Sequence, residues 1–113
     1  MHELSLAEGL LQIIGDAAVR DKFSQVTTVW LEIGQLSSVE TQALAFCFDA
    51  VARGTVAQGA RLEILTPPGL GWCEDCLAPL TMAEIFDTCP QCDGYHVRVT
   101  GGTEMRVKEL EVL

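Results

Sequence analysis

Two cysteine pairs constrain this chain more than any other feature. They are Cys73-Glu74-Asp75-Cys76 and Cys89-Pro90-Gln91-Cys92, with twelve residues between them. Two sulfurs spaced in this way can reach one ion from a tight turn, and two such turns supply four thiolates around a tetrahedral site. Zinc suits this shell because its filled d shell imposes no geometry of its own. We therefore expect a closed, structural zinc site, although a redox dithiol or a rubredoxin-like iron site shares the spacing.

Length and charge limit the number of domains and the kinds of binding partner. The chain has 113 residues, of which 49% are hydrophobic, enough for one compact domain or one domain with a small metal-held insert. A net charge of −9 with only seven lysines and arginines argues against nucleic acid, because phosphate binding depends on basic side chains. The acidic surface suits protein partners and cationic metals instead.

Targeting signals are missing from the sequence. No apolar run approaches the roughly 20 residues that cross a bilayer, and the N-terminus lacks the basic flank and apolar core of a signal peptide. We expect no membrane association and a cytoplasmic location. In a reducing compartment, five cysteines favour metal binding over disulfides. Cys47 falls outside the paired pattern, and we expect it on the buried face of a helix as a small core residue.

Apolar spacing predicts a helix followed by a strand at the start of the chain. The helix covers about residues 4–20, and it begins either at a capping box of Ser5 and Glu8 or nearer Glu3. Its core-facing side chains are Leu4, Leu10, Leu11, Ile14 and Ala18. The strand covers residues 26–33, which are rich in β-branched residues. Its shared face carries Val29, Leu31 and Ile33.

A second helix and a second strand are predicted next. The helix covers about residues 38–52, with Ser37 or Ser38 as its N-cap and Glu40 completing a capping box. The strand covers residues 60–65 and ends before Pro67-Pro68-Gly69, because proline cannot donate to a strand ladder.

The later part of the chain defines the expected fold class. The segment 70–94 around the cysteines is too short for a core of its own. Residues 95–100 read as a strand, Gly101-Gly102 as a hairpin turn, and residues 105–113 as a closing strand that returns to the first sheet. We expect an α+β protein in which two helices pack on a small mixed three-stranded sheet, interrupted by a zinc-ribbon-like domain with four cysteines. The expected domains are 1–68 plus 103–113, which is α/β, and 69–102, which holds the four cysteines.

The N-terminus offers a second possible metal site. The amine of Met1, the backbone nitrogen and imidazole of His2, and a further donor such as Glu3 can form fused chelate rings around one ion. A nitrogen-rich planar set favours Ni(II) or Cu(II). On composition alone, a histidine at position 2 is more often a solvated terminal residue.

The remaining chemistry-bearing residues give weaker signals. His96 is either a half-exposed strand residue or a further metal ligand, and the first is the commoner case. The phosphate-binding, zinc-protease and serine-hydrolase motifs are absent, and no nucleophile, base and orienting group assemble in the sequence. We therefore expect a protein that is not an enzyme.

Taken together, these residues resemble the HypA/HybF family of hydrogenase maturation factors. The matching segments cover nearly the whole chain, and their order behind an N-terminal Met-His-Glu is specific. Besides both cysteine pairs, they are Met1-His2-Glu3-Leu4, Val29-Trp30-Leu31-Glu32-Ile33-Gly34, Leu44-Ala45-Phe46-Cys47-Phe48-Asp49, Gly54-Thr55-Val56-Ala57 and Val107-Lys108-Glu109-Leu110-Glu111-Val112.

The resemblance implies a nickel metallochaperone that delivers Ni2+ for maturation of [NiFe]-hydrogenase. It implies nickel ligands at Met1, His2 and Glu3, a structural Zn2+ on Cys73, Cys76, Cys89 and Cys92, and two partners, the HypB GTPase and the hydrogenase large-subunit precursor. The protein is expected as a monomer or a homodimer, and His96 is the candidate for a further nickel ligand from the zinc domain.

The sequence departs from the family pattern at one position, and two other functions stay open. Many relatives have glycine directly after the last cysteine, whereas Asp93 stands there in this chain and Gly94 follows. This exchange leaves the ligand spacing untouched. The alternatives are a zinc-ribbon adaptor that bridges proteins without a cargo metal, and a thiol redox protein.

Overall fold

The computed structural model describes residues 2–113. Within this range lie two α-helices and two sheets of three strands each, which confirms the expected fold class. The strand orders are β2-β1-β6 and β4-β3-β5, so the closing strand β6 returns to the first sheet as expected. The elements in chain order are α1 (Glu3–Asp21), β1 (Val26–Ile33), α2 (Thr41–Val51), β2 (Arg61–Leu65), β3 (Gly69–Cys73), β4 (Ala78–Met82), β5 (Val97–Gly101) and β6 (Met105–Val112).

The chain divides into two compact units. The first, here called the helical unit, consists of Met1–Leu31, Val39–Ile64 and Val107–Leu113. The second, the cysteine unit, consists of Glu32–Ser38 and Leu65–Arg106. No helix within residues 2–113 is long and apolar enough to cross a membrane.

The core of the helical unit lies where α1 and α2 pack together and on the buried face of β1. Positions three or four apart on α1 fall on one helix face, and this face buries Ala7, Leu10, Ile14, Ala17 and Ala18. Leu4 lies off this stripe and is exposed, so its predicted burial is wrong. In β1, the predicted burial of Val29, Leu31 and Ile33 is confirmed.

The start of α2 differs from the prediction. The helix begins at Thr41, and its N-cap is Glu40, whose carboxylate accepts a hydrogen bond from the amide of Gln42 at 2.8 Å. The predicted serine cap is therefore wrong: a glutamate carboxylate satisfies the first helical amides instead. Leu44 and Phe48 hold the buried positions of α2. Cys47 is only half-buried, which corrects its expected placement in the core.

The cysteine unit is built on β3, which pairs antiparallel with both β4 and β5. The sequence pattern missed β3 and β4. Each has five residues, and they contain Gly69, Gly71 and Pro79, which are poor strand formers. Their register places Cys73 opposite Ala78 on one side and Val97 on the other. The first cysteine is thus the last residue of the central strand.

Glycines in the cysteine unit mark a close crossing of three chain segments. Gly102 adopts a φ of +84°, and a Cβ there would lie 2.6 Å from the carbonyl oxygen of Pro68. The amide of Leu36 donates to the carbonyl of Gly102 at 2.7 Å. The prediction of a hairpin at Gly101-Gly102 is wrong, because β5 and β6 belong to different sheets. These glycines serve close backbone packing instead.

Candidate metal centres

The four paired cysteines converge on one point in the cysteine unit. Their Sγ atoms all lie within 4.8 Å of one another, and within the described chain no other group of three or more histidine, cysteine or acidic side chains meets this condition. The Sγ atoms of Cys73 and Cys92 are 3.7 Å apart, and those of Cys76 and Cys89 are 3.9 Å apart. Zn–S bonds of about 2.3 Å in a tetrahedron require sulfur separations of about 3.8 Å. The donor set therefore fits zinc.

The four cysteines differ in burial, and main-chain amides donate hydrogen bonds to two of their sulfurs. Cys73 and Cys89 are buried, Cys76 is half-buried and Cys92 is exposed. The amide of Cys76 donates to the Sγ of Cys73 at 3.3 Å. In the second pair, amide donors from Cys92 and then Gln91 lower the pKa of the Cys89 thiol to about 7. In each pair, a main-chain amide thus donates a hydrogen bond to the first sulfur, and the thiolate is the form of cysteine that binds metal.

The pKa of the Cys76 thiol is shifted in the opposite direction from that of Cys89. Hydrogen bonding with the sulfurs of Cys92 and Cys73, followed by desolvation, raises its pKa to about 12. Four adjacent thiolates repel one another unless a positive charge lies between them. The arrangement therefore needs a cation for all four sulfurs to ionise.

A left-handed residue follows each cysteine pair. Leu77 has a φ of +53° and Asp93 a φ of +60°. The amide of Asp93 donates to the carbonyl of Cys89 at 2.8 Å, which closes the second turn. Gly94 follows Asp93. A Cβ at position 94 would lie 3.1 Å from Asp75 Oδ2 and 3.2 Å from Cys92 Sγ, so a glycine fits this narrow space best. The turn tolerates aspartate where a glycine is more usual, since aspartate is among the residues that enter the left-handed region.

His96 lies beside the first cysteine pair and outside β5. Its Nδ1 is 3.0 Å from Asp75 Oδ2, and its carbonyl accepts the amide of Glu74 at 2.8 Å. The strand β5 begins at Val97, so the expected placement of His96 in the strand is wrong by one position. Its imidazole is 73% exposed. No sulfur of the cluster is among its hydrogen-bond partners in the described chain. Its role as a nickel ligand stays a prediction.

The N-terminal candidate residues lie at the start of α1, except for Met1, which lies outside the described residues. His2 is the N-cap of α1 and is exposed. Glu3 is the first helical residue and is only 7% exposed. Its Oε2 accepts the main-chain amide of Glu40 at 3.2 Å. The pKa of its carboxyl is lowered to about 2, first by interaction with the positively charged amino terminus and then by the Glu40 amide. Glu3 is therefore an anion at any physiological pH.

Glu40 is the residue near this site that sequence reasoning missed as a site residue. The sequence pattern predicts it only within a capping box of α2. Its amide instead contacts a side chain 37 positions earlier in the chain. The available signal was indirect: an N-cap amide needs an acceptor, and an acidic side chain elsewhere can supply one.

Comparison with known proteins identifies the family of the chain. The family model for HypA, described as "Hydrogenase/urease nickel incorporation, metallochaperone, hypA", matches residues 1–112. The chain is 69% identical to hydrogenase maturation factor HypA of Albidiferax ferrireducens, with 99% of each chain covered. It is 50% identical to the HypA of Azotobacter vinelandii at the same coverage.

Solved structures of relatives share the whole fold. The solution structure of the Ni metallochaperone HypA from Helicobacter pylori has a TM-score of 0.73 and 25% identity, covering 100% of this chain and 98% of that one. A second solution structure of a HypA protein has a TM-score of 0.72 and 26% identity, with 100% and 97% coverage.

The fold and the four-cysteine cluster define a small metal-binding maturation factor. The chain belongs to the HypA family of nickel-incorporation metallochaperones. This family membership confirms the resemblance found in the sequence, and it does not favour a cargo-free zinc-ribbon adaptor.

Proposed function

We propose that this protein binds Ni(II) at its first three residues and delivers it for maturation of a [NiFe]-hydrogenase. The nickel donors are the Met1 amine, the backbone nitrogen and imidazole of His2, and the Glu3 carboxylate. The observation that carries the proposal is the exposed His2 directly beside the fixed Glu3 carboxylate, in a chain that matches a nickel-incorporation family from residue 1. An exposed terminal site suits transfer, because incoming donors can attack without opening a cavity.

The four-cysteine cluster is the proposed resident Zn2+ site. Cys73, Cys76, Cys89 and Cys92 would hold the ion, and their sulfur separations support this assignment. A zinc ion on four thiolates has no open position, so it supplies folding energy rather than chemistry. We assign this role to the domain 69–102 and nickel binding to the domain 1–68 plus 103–113.

The proposed delivery involves two partners. The apo protein takes up nickel, docks on the HypB GTPase and on the hydrogenase large-subunit precursor, and passes the ion on by ligand exchange. The maturation role of the family supports partners of this kind. The acidic surface, with a net charge of −9, also favours the approach of a divalent cation.

A calorimetric nickel titration tests whether nickel binding requires a free amino terminus. The tag-free chain should bind one Ni(II) per molecule. A chain with a few residues fused before Met1 should bind nickel much more weakly, because the fusion removes the free amine. A C-terminal fusion of the same length is the matched control and should bind like the tag-free chain. Equal affinity of the N-terminal fusion and the tag-free chain would refute the N-terminal site.

A further inference from the structure

Cys92 is the exposed member of the four-cysteine cluster. Cys73 and Cys89 are 0% and 2% exposed, and Cys76 is half-buried. Cys92 lies in a turn, whereas Cys73 is the last residue of the central strand β3. A reagent in solution therefore reaches the sulfur of Cys92 first.

The close sulfur contacts in the cluster join one cysteine pair to the other. Cys92 Sγ is 3.7 Å from Cys73 Sγ, and Cys76 Sγ is 3.9 Å from Cys89 Sγ. These two contacts involve each of the four sulfurs once. A disulfide holds its sulfurs about 2 Å apart, so a movement of about 2 Å closes either contact.

The charge around Cys92 favours an uncharged reagent. Asp93 follows it directly, and the Asp75 carboxylate borders the same backbone position, since a Cβ at Gly94 would lie 3.2 Å from Cys92 Sγ and 3.1 Å from Asp75 Oδ2. The whole chain carries a net charge of −9. Negative charges repel an anionic oxidant. Hydrogen peroxide has no charge and meets no such barrier.

We propose that Cys92 is a site of modification by hydrogen peroxide and that its oxidation releases the metal from the cluster. The thiolate of Cys92 attacks one oxygen of hydrogen peroxide, and the O–O bond breaks to give a sulfenic acid on Cys92 and a hydroxide ion. The thiolate of Cys73 then attacks the Cys92 sulfur, forms the Cys73–Cys92 disulfide and expels a second hydroxide. The two thiolates lose two electrons, and the peroxide gains them.

Oxidation leaves the cluster with two thiolates, Cys76 and Cys89, where a tetrahedral zinc site needs four ligands. A second equivalent of peroxide joins these two sulfurs in the same way across their 3.9 Å contact. The cysteine unit thereby loses the folding energy that the metal supplies. This inference rests on the proposed Zn2+ site, and it adds a modified residue and a reagent class to that site.

Oxidation of the zinc-loaded chain with hydrogen peroxide tests the order of events. Dimedone traps the sulfenic acid, and a chromogenic chelator measures zinc release. We expect the dimedone label on Cys92 before any other cysteine, and the release of one zinc per chain. First labelling of Cys73 or Cys89 would overturn the inference, and so would full retention of zinc after the disulfide has formed.

Cleavage after glutamate distributes the cluster cysteines over three peptides. These are residues 64–74 with Cys73, 75–84 with Cys76, and 85–104 with Cys89 and Cys92. We expect the first disulfide to join the first peptide to the third, with tandem mass spectrometry placing it on Cys92. A first disulfide within one cysteine pair would contradict the proposed reaction.

Two controls separate this reaction from general oxidation. Cys47→Ser removes the cysteine outside the cluster, and its zinc release should match that of the unsubstituted chain. Iodoacetamide and the anionic iodoacetate alkylate thiolates with the same leaving group. Cys92 should prefer iodoacetamide roughly threefold more strongly than free cysteine does, because of the nearby carboxylates. An equal preference would overturn the assignment of an uncharged oxidant.

Zinc content before oxidation separates the two proposals. A chain isolated under reducing conditions without zinc would refute the proposed Zn2+ site, and the inference would fail with it. A chain that holds one zinc and keeps it through peroxide treatment would refute the inference alone.

Discussion

Leu77 and Asp93 occupy equivalent positions in the two cysteine turns. Each directly follows the second cysteine of its pair, and each has a positive φ, +53° for Leu77 and +60° for Asp93. A left-handed backbone costs a residue with a Cβ roughly 1–2 kcal/mol, least for aspartate and asparagine. The turns that hold the metal therefore store strain at matching points.

Glycine at position 93 should relieve this strain. We expect Asp93→Gly to raise the free energy of unfolding of the zinc-loaded protein by roughly 0.5–1 kcal/mol. Asp93→Ala is the control, because it removes the same carboxylate and keeps the strained backbone, so it should stabilise nothing. Thermal unfolding monitored in the cysteine unit measures both. If Asp93→Ala stabilises as much as Asp93→Gly, repulsion by the carboxylate is the cause instead of backbone strain.

Metal removal should unfold the cysteine unit and leave the helical unit folded. The buried hydrophobic side chains of the cysteine unit are few: Ile33, Met82 and two of the cysteines, Cys73 and Cys89. A core of this size cannot offset the entropy of ordering the chain without the metal. Stringent chelation should collapse the amide NMR signals of residues 70–100 to unfolded positions, while those of α1 persist. A native spectrum for residues 70–100 after complete metal loss would contradict a structural role.

Two glycines with similar backbone angles should respond differently to alanine. Gly54 has a φ of +79° and open space around it, whereas Gly102 has a φ of +84° and packs against the backbone of Pro68 and Gly69. Gly54→Ala should cost about 1 kcal/mol for the left-handed backbone alone. Gly102→Ala should cost about 2–4 kcal/mol, since overpacking adds to the same strain. Chemical denaturation of both variants measures the difference, and equal costs would show that the chain crossing is loosely packed.

The low pKa of Glu3 predicts an acid-dependent loss of stability. The pKa of its carboxyl is about 2 in the folded chain, against an ordinary value of 4.5. Its contribution is fully present above pH 4.5 and declines as the pH falls toward 2, because the unfolded chain takes up the proton first. In the helical unit, Glu3→Gln should therefore show a shallower loss of stability than the unsubstituted chain over this window. Glu8→Gln, at an exposed position of the same helix, is the control and should follow the unsubstituted chain.

The sequence predicts the elements whose signals are local. The strand β1 carries a continuous β-branched pattern, and that pattern predicts its observed bounds, Val26–Ile33. The cysteine spacing predicts four sulfurs in one cluster, which the structure confirms.

Features that depend on distant contacts could not be predicted in this way. The start of α2 is satisfied in part by Glu3, which lies far away in sequence. The strands β3 and β4 contain glycine and proline, and their identity comes from pairing around the cysteines. Gly102 resembles a hairpin residue because a close backbone crossing and a tight turn both favour glycine.

The most direct test of the N-terminal nickel site is a nickel titration of a tag-free His2→Ala variant. Zinc content and circular dichroism are measured on the same samples, and His96→Ala serves as the matched histidine control. We predict that His2→Ala loses stoichiometric nickel binding while its zinc content and fold stay unchanged, and that His96→Ala still binds one nickel. Nickel affinity of His2→Ala equal to that of the unsubstituted chain would contradict the account.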